Sequence, residues 1–360
     1  MERKEIVIKA ILLAIATYVF LLSINLLSAS FKLFGEDFAA SLISLTSNPF
    51  VGLFIGILAT SIVQSSSTTT SIIVGLTASG ALTIGNAIPI IMGANIGTSV
   101  TNTIVSLGHI KKMKEFRKAF EVATVDDFFN LCIVVILFPL ELLFHPLEKS
   151  ASFLTHFVLG ANSHLQFASP LDYITKPVVD FFQKMLGHNT ILILILSLVL
   201  LFLSLRYFIR LMKPIAKTKF KRSLNKYVFK RPVRSFAAGL ALTGTVQSSS
   251  VSTSLLVPLA GVGILTIENA FPYVLGANIG TTGTALIASL VPGSAAAITV
   301  ALVHVFFNVF GAAIMYPLRK IPISLSKGLA SLSMKSKVYV LLYVTLVFFV
   351  LPMLIILLFS

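Results

Sequence analysis

The sequence contains few charged residues and a single cysteine. Charged residues make up 11% of the 360 positions and hydrophobic residues 56%, whereas about 25% would be charged in a soluble domain. With Cys132 alone, no intrachain disulfide can form. Apolar runs near 11–27, 191–205 and 338–359 approach or reach the length of about 20 residues that crosses a bilayer. The sequence therefore predicts an all-α polytopic membrane protein.

Acidic residues are scarce, and the basic residues are clustered. The chain has 13 acidic and 28 basic residues, which gives a net charge of +15. The basic clusters at 111–118, 213–234 and 319–337 lie between apolar segments, as cytoplasmic loops do. We therefore expect a multi-pass protein of the cell (inner) membrane with a cytoplasmic N-terminus, surrounded by lipids and without a nucleic-acid partner. A specific lipid or nucleic-acid contact of the loop 213–234 is the alternative role for its charge.

An internal repeat organises the chain. A shift of 183 residues aligns 63–107 with 246–290 without a gap, and 26 of the 45 pairs are identical. After a gap of five residues, the Phe-Phe-Asn sequence at 128–130 matches the one at 306–308. The placement of the basic loops makes the two copies antiparallel in the membrane, which is typical of transporters with inverted-topology repeats.

Each copy is expected to contain a re-entrant helical hairpin and an interrupted transmembrane helix. The hairpins are predicted at 49–80 and 233–264, because each of their arms is too short to span the bilayer comfortably. The predicted parts of the chain are an N-terminal transmembrane helix and connector at 1–48, the first repeat at 49–143, an extracellular connector with a helix and a basic loop at 144–232, the second repeat at 233–318, and a basic loop with a final helix at 319–360.

A polar motif recurs inside both hairpins. Gln64-Ser65-Ser66-Ser67 is repeated as Gln247-Ser248-Ser249-Ser250 within apolar surroundings. Hydroxyl groups and the first N–H groups of a helix can bind an anion, and the same oxygens can coordinate a cation. Small residues also serve in helix–helix packing, but two matched copies favour a binding site. The predicted substrate-binding residues are the eight residues of the two motifs.

A second motif, Gly93–Thr98, recurs as Gly276–Thr281. Its glycines suggest a helix break, and the freed carbonyls together with Asn and Thr oxygens would suit sodium. Close packing through glycine is the alternative, and it fits Gly52 and Gly56 better than any chemical role. The predicted sodium ligands include Asn95, Thr98, Asn278 and Thr281.

Few ionisable side chains interrupt the apolar segments. Asp126 and Asp127 precede the first Phe-Phe-Asn sequence, and His304 precedes the second. A carboxylate within the membrane is costly and indicates function; Asp127 could bind a cation or order the repeat interface. Because neither repeat core has Lys or Arg at mid-depth, a bound anion would need cations for neutralisation. No nucleotide-binding or cofactor motif occurs, so sodium is the only metal and no cofactor is expected.

These motifs resemble those of the type II sodium-dependent phosphate cotransporter family. The similarity covers roughly 45–145 and 230–320, including both Gln-Ser-Ser-Ser motifs and Asp127-Phe128-Phe129-Asn130. It implies sodium-driven uptake of phosphate at a site framed by the two hairpins. By this resemblance, the residues expected to bind the substrate are Gln64, Ser65, Ser66, Gln247, Ser248 and Ser249. Both glutamines are also expected at the sodium sites. The short connector without cysteine indicates a minimal prokaryotic member.

The leading interpretation is a sodium/phosphate symporter that works by alternating access. A transporter or channel for another small oxyanion or carboxylate is the alternative, since hydroxyls and helix ends do not specify phosphate. An enzyme is disfavoured because a nucleophile and its base need no symmetric twin. The stoichiometry of sodium and phosphate and the oligomeric state stay open.

Overall fold

The computed structural model describes residues 3–98, 100–159, 170–223 and 228–359. All regular secondary structure in these ranges is helical, which confirms the predicted all-α fold. Residues 160–169 and 224–227 of the predicted connector lie outside the described part. Six described segments are long and apolar enough to cross a membrane, as a multi-pass protein requires: Val7–Leu33, Ile84–His109, Met113–Phe144, Thr190–Phe208, Ala295–Met315 and Val338–Phe359.

The N-terminal half of the chain contains the first hairpin. Asn48 starts the hairpin by accepting a hydrogen bond from the backbone N–H of Phe50, and Pro49 occupies the first helical position, where its missing N–H is harmless. The helices are α1 (Arg3–Leu33), α2 (Glu36–Leu45), α3 (Pro49–Val63), α4 (Ser66–Ser79), α5 (Ile84–Gly97), α6 (Val100–Ser106), followed by a short 3-10 turn, and α7 (Met113–Phe144).

The C-terminal half repeats this order and adds helices at its end. Its hairpin has a divided second arm, because α12 ends before Leu255 and α13 begins just after it. The helices are α8 (Pro146–Leu159), α9 (Pro170–Met185), α10 (Thr190–Ser223), α11 (Pro232–Val246), α12 (Ser249–Ser254), α13 (Leu256–Gly261), α14 (Ile267–Ser289), α15 (Ala295–Met315), α16 (Lys320–Lys335), α17 (Val338–Thr345) and α18 (Leu351–Phe359), with a π-helical turn between the last two.

Glycines bring the first arm of each hairpin against the backbone of a neighbouring helix. A Cβ atom at Gly56 in α3 would lie 2.0 Å from the carbonyl oxygen of Ile90 in α5. The same holds in the second repeat, where a Cβ at Gly239 in α11 would lie 2.1 Å from the oxygen of Tyr273 in α14. No side chain fits at such distances, so the packing role predicted for Gly56 is confirmed.

The interruption predicted at the glycine motif is absent from the second repeat, whereas in the first repeat one helix ends and another begins at this motif. Helix α14 runs without a break through Gly276–Thr281, and α5 is helical as far as Gly97, with a new helix from Val100. A Cβ at Gly93 or at Gly276 would lie 1.9 or 2.0 Å from a backbone oxygen of the facing arm. The glycines therefore permit close approach rather than a change of backbone angle, and the α14 carbonyls stay in helical hydrogen bonds.

The two repeats interlock through their central helices. The second arm of the first hairpin, α4, packs on α14 and α15, and α7 packs on α14, α15 and α16. Outside this core, α1 packs on α10, while α18 and the π-helical turn pack on α3. The polar residues of each repeat are thereby placed against helices of the other.

Candidate functional site

The two Gln-Ser-Ser-Ser motifs form hairpin tips of the same geometry. Gln64 ends α3 in the left-handed backbone conformation with φ of 59°, and Gln247 ends α11 with φ of 56°. The next residue in each motif, Ser65 or Ser248, is extended and precedes the second arm. Non-glycine residues rarely adopt a positive φ, so the matched pair of conformations points to a constrained turn in both repeats.

The first serine of each motif caps the second arm. Ser65 Oγ accepts from the backbone N–H of Thr68 at 3.2 Å, and Ser248 Oγ accepts from that of Val251 at 3.3 Å. A serine hydroxyl has one donor and two acceptor positions. Because capping uses only the acceptor side, each O–H can still donate to an oxygen of a bound anion.

The glutamine side chains turn back to their own repeats. Gln64 Oε1 accepts from Thr101 Oγ1 at 2.8 Å, and Gln247 Oε1 accepts from the hydroxyl of Thr284. Each amide also donates to the backbone carbonyl three positions earlier. Neither threonine is among the predicted site residues, although the two are related by the same shift of 183 residues as the glutamines.

The tips meet at the interface between the repeats. Ser67 Oγ donates to the backbone carbonyl of Gln247 at 3.4 Å. The second serines, Ser66 and Ser249, are each 4% exposed, and their hydroxyls form no hydrogen bond to another described residue. A second contact joins the repeats nearby, where Asn102 Nδ2 donates to Thr253 Oγ1 at 2.9 Å. Polar groups with unused donors thus converge from both repeats.

The two asparagines of the glycine motifs cross to the opposite repeat. Asn278 Nδ2 donates to Asp126 Oδ1 at 2.6 Å. In the matching place, Asn95 Oδ1 lies 3.2 Å from His304 Nε2 and accepts from Asn308 Nδ2 at 3.3 Å. All five side chains are buried, so they form a polar contact inside the repeat interface.

The asparagine amides are oriented in opposite ways. A carboxylate accepts hydrogen bonds, so Asn278 presents its nitrogen to Asp126. An amide oxygen can only accept, so the contact of Asn95 Oδ1 with His304 Nε2 requires the proton to be on that nitrogen. The oxygen of Asn278 therefore has more capacity left for a cation than the oxygen of Asn95.

The remaining predicted sodium ligands lie in three different surroundings. Thr281 Oγ1 accepts from the backbone N–H of Ser249 at 3.0 Å, beside the second hairpin tip. Thr98 Oγ1 donates to the carbonyl of Ala94 in its own helix. Asp127 Oδ2 accepts from the hydroxyl of Tyr343 in α17 at 2.8 Å. The structure thus brings Thr281 to the tip and links Asp127 to the C-terminal helices.

The hairpin tips have no basic hydrogen-bond partner among the described residues. None of the hydrogen-bond partners found for the two motifs is Lys or Arg. The carboxylates of Asp126 and Asp127 are buried within α7. The described hydrogen-bond partners of the tips therefore supply no fixed positive charge, while α7 supplies two acidic side chains whose oxygens can coordinate a cation.

These features define an internally duplicated, all-α, multi-pass membrane protein with polar hairpin tips at the interface of its repeats. The chain belongs to the Na+/Pi-cotransporter family, whose profile matches residues 19–161 and 200–354. It is 34% identical to the human sodium-dependent phosphate transport protein 2B over 96% of this chain and 64% of that protein. It is 33% identical to the 2A protein of Rattus norvegicus, over 94% of this chain and 66% of the relative. The chain thus spans less than two thirds of these relatives. No solved structure matches it.

Proposed function

We propose that the chain is a sodium-coupled symporter of inorganic phosphate that works by alternating access between inverted repeats. It acts as a transporter rather than an enzyme, in the cell (inner) membrane, with a cytoplasmic N-terminus. The names of its relatives, sodium-dependent phosphate transport proteins, support this proposal. The structural observation that most supports the proposal is that the two serine-rich tips meet, where Ser67 donates a hydrogen bond to the backbone carbonyl of Gln247.

Phosphate is proposed to bind between the tips. The capping serines keep a free O–H, and the hydroxyls of Ser66 and Ser249 have no partner among the described residues. Such donors suit the oxygens of a phosphate ion. The proposed substrate-binding residues are Gln64, Ser65, Ser66, Ser67, Gln247, Ser248, Ser249 and Ser250.

Sodium is proposed to neutralise this site. A phosphate ion beside buried carboxylates and without Lys or Arg would be strongly destabilised unless cations bound with it. Amide, hydroxyl and carboxylate oxygens are the hard ligands that such cations prefer. The proposed sodium ligands are Gln64, Asn95, Thr98, Gln247, Asn278, Thr281 and Asp127. No cofactor other than the coupling ion is proposed.

The test is uptake of radiolabelled phosphate into proteoliposomes that contain the purified protein. An inward sodium gradient is compared with an equal potassium gradient. Accumulation above equilibrium with sodium alone would support the symport. Uptake that only equilibrates, or that ignores sodium, would overturn the coupling and favour a channel. Accumulation of another oxyanion or a small carboxylate in preference to phosphate would overturn the substrate.

A further inference from the structure

An apolar groove opens on the surface of the second repeat. It lies between α11, α14 and α15 and has a volume of about 430 Å³. Its lining is almost entirely hydrocarbon and includes Pro232, Val233, Phe236, Leu275, Ile279 and Tyr316. A groove of this kind between transmembrane helices can hold a lipid acyl chain.

In the first repeat a phenylalanine takes the place of the valine that lines this groove. Phe50 matches Val233, and its ring packs edge-on against Phe138 with the centroids 5.1 Å apart. Tyr316 occupies the place of Phe138 in the second repeat. There the smaller Val233 is 78% exposed and leaves the space between the helices open.

The end of the groove is basic. Pro232, Val233, Tyr316 and Pro317 line this end, so the adjacent Arg231, Arg234 and Arg319 lie near its mouth. The Arg319 guanidinium stands 4.9 Å from the ring centroid of Tyr316. All three arginines are exposed, and none forms an ion pair with another described residue.

The corresponding mouth in the first repeat is not basic. Asn48 matches Arg231 and caps α3, while Glu141 matches Arg319. The Glu141 carboxylate accepts from the backbone N–H groups of Leu147 and Glu148 at the start of α8. The three arginines at the groove mouth therefore have no basic counterpart at the matching positions of the first repeat.

We propose that this groove binds an anionic phospholipid, with an acyl chain between α11, α14 and α15 and the headgroup phosphate at Arg231, Arg234 and Arg319. The arginines lie in segments predicted to face the cytoplasm, where anionic lipids attract basic residues. Guanidinium groups bind phosphate oxygens through paired donors. A neutral lipid would leave the basic mouth unused, and a small soluble anion would leave the apolar groove unused.

Native mass spectrometry of the full chain tests the proposal. The protein is titrated with phosphatidylglycerol and, separately, with phosphatidylcholine of the same acyl chains. Phosphatidylglycerol is expected to bind more tightly, and Arg319→Gln is expected to weaken it about fivefold. Val233→Phe, which copies the first repeat, is expected to weaken both lipids at this site. Lys335→Gln is the control, because Lys335 is an exposed lysine in the same basic segment but outside the groove lining.

Three results would overturn the proposal. Equal affinity for the two lipids would show that the arginines do not bind the anionic headgroup. Unchanged lipid binding to the Val233→Phe variant would show that the acyl chain does not lie in the groove. Displacement of the lipid by inorganic phosphate would show a soluble-anion site instead. Thermal unfolding of each variant without added lipid verifies that its fold is kept; both altered side chains are exposed, so little change is expected.

Discussion

Asp126 in the first repeat and His304 in the second occupy matching positions, and each binds the asparagine of the other repeat. Asp126 Oδ1 accepts from Asn278 at 2.6 Å, and His304 Nε2 lies 3.2 Å from Asn95 Oδ1. The duplication has thus kept the geometry of the contact while its chemistry has diverged. One contact contains a buried acid and the other a buried imidazole, so the two ends of the interface differ in charge and in the direction of donation.

The contact between Asp126 and Asn278 should couple the stability of the two repeats. In a double-mutant cycle with Asp126→Ala and Asn278→Ala, we expect a coupling energy of about 1 kcal/mol, measured as unfolding free energy in mixed micelles. Asn86→Ala serves as the control partner, because Asn86 bonds to the chain around Ile43 and Thr46 instead. A cycle with Asn278 that is as additive as the one with Asn86 would contradict this role.

The opposite orientation of the two asparagines predicts unequal effects on sodium activation. Asn278→Ala should raise the sodium concentration for half-maximal phosphate uptake about tenfold, because it removes an available amide oxygen. Asn95→Ala should raise it less, since the oxygen of Asn95 is already engaged by His304 and Asn308. Initial uptake rates across a sodium series measure both. Equal shifts would contradict the inferred asymmetry.

The capping serines allow folding and transport to be separated. Ser65→Ala or Ser248→Ala should remove most phosphate uptake and lower the unfolding free energy by about 1 kcal/mol. Ser65→Asp should keep the cap but still abolish uptake, because a carboxylate has no O–H to donate. Ser331→Ala, at an exposed serine of α16, is the control. Normal uptake by both alanine variants would exclude the tips as the substrate site.

The glycine contacts predict a large difference between two similar substitutions. Gly93→Ala should strongly destabilise the protein, because the new methyl carbon would lie 1.9 Å from the backbone oxygen of Leu53. Gly328→Ala should be neutral or stabilise by about 0.5–1 kcal/mol, since Gly328 lies within α16 with open space around it. Thermal unfolding compares the two. Equal stability would show that α3 and α5 can separate without cost.

The all-helical, membrane-spanning fold could be predicted from the sequence because composition, run length and the repeat all indicate it. The conformation of the second glycine motif could not. Glycine is chosen both where a helix breaks and where another backbone approaches, and the motif alone does not distinguish these uses. Only the position of α11 beside Gly276 shows that close approach is the reason here.

Some hydrogen-bond partners of the predicted site residues could not be predicted from the repeated motifs, whereas others could. Tyr343 reaches Asp127 from 216 residues away in the sequence, and neither residue has a repeat counterpart that would indicate the pair. Thr101 and Thr284 were detectable, because they are identical in the aligned repeats and follow the glycine motifs by three residues. Identical polar residues in the aligned repeats therefore indicate the site even where they lie outside the Gln-Ser-Ser-Ser motifs.

The close glycine contacts also have a mechanical consequence. With no side chain between them, α3 and α5 are expected to move as one rigid unit, and α11 and α14 as a second. Sliding within either pair would bring backbone atoms into collision. Relative movement of the helices is therefore expected at the polar contacts between the repeats. There hydroxyl and amide groups can exchange partners, and the second repeat has its divided arm α12–α13 at this contact.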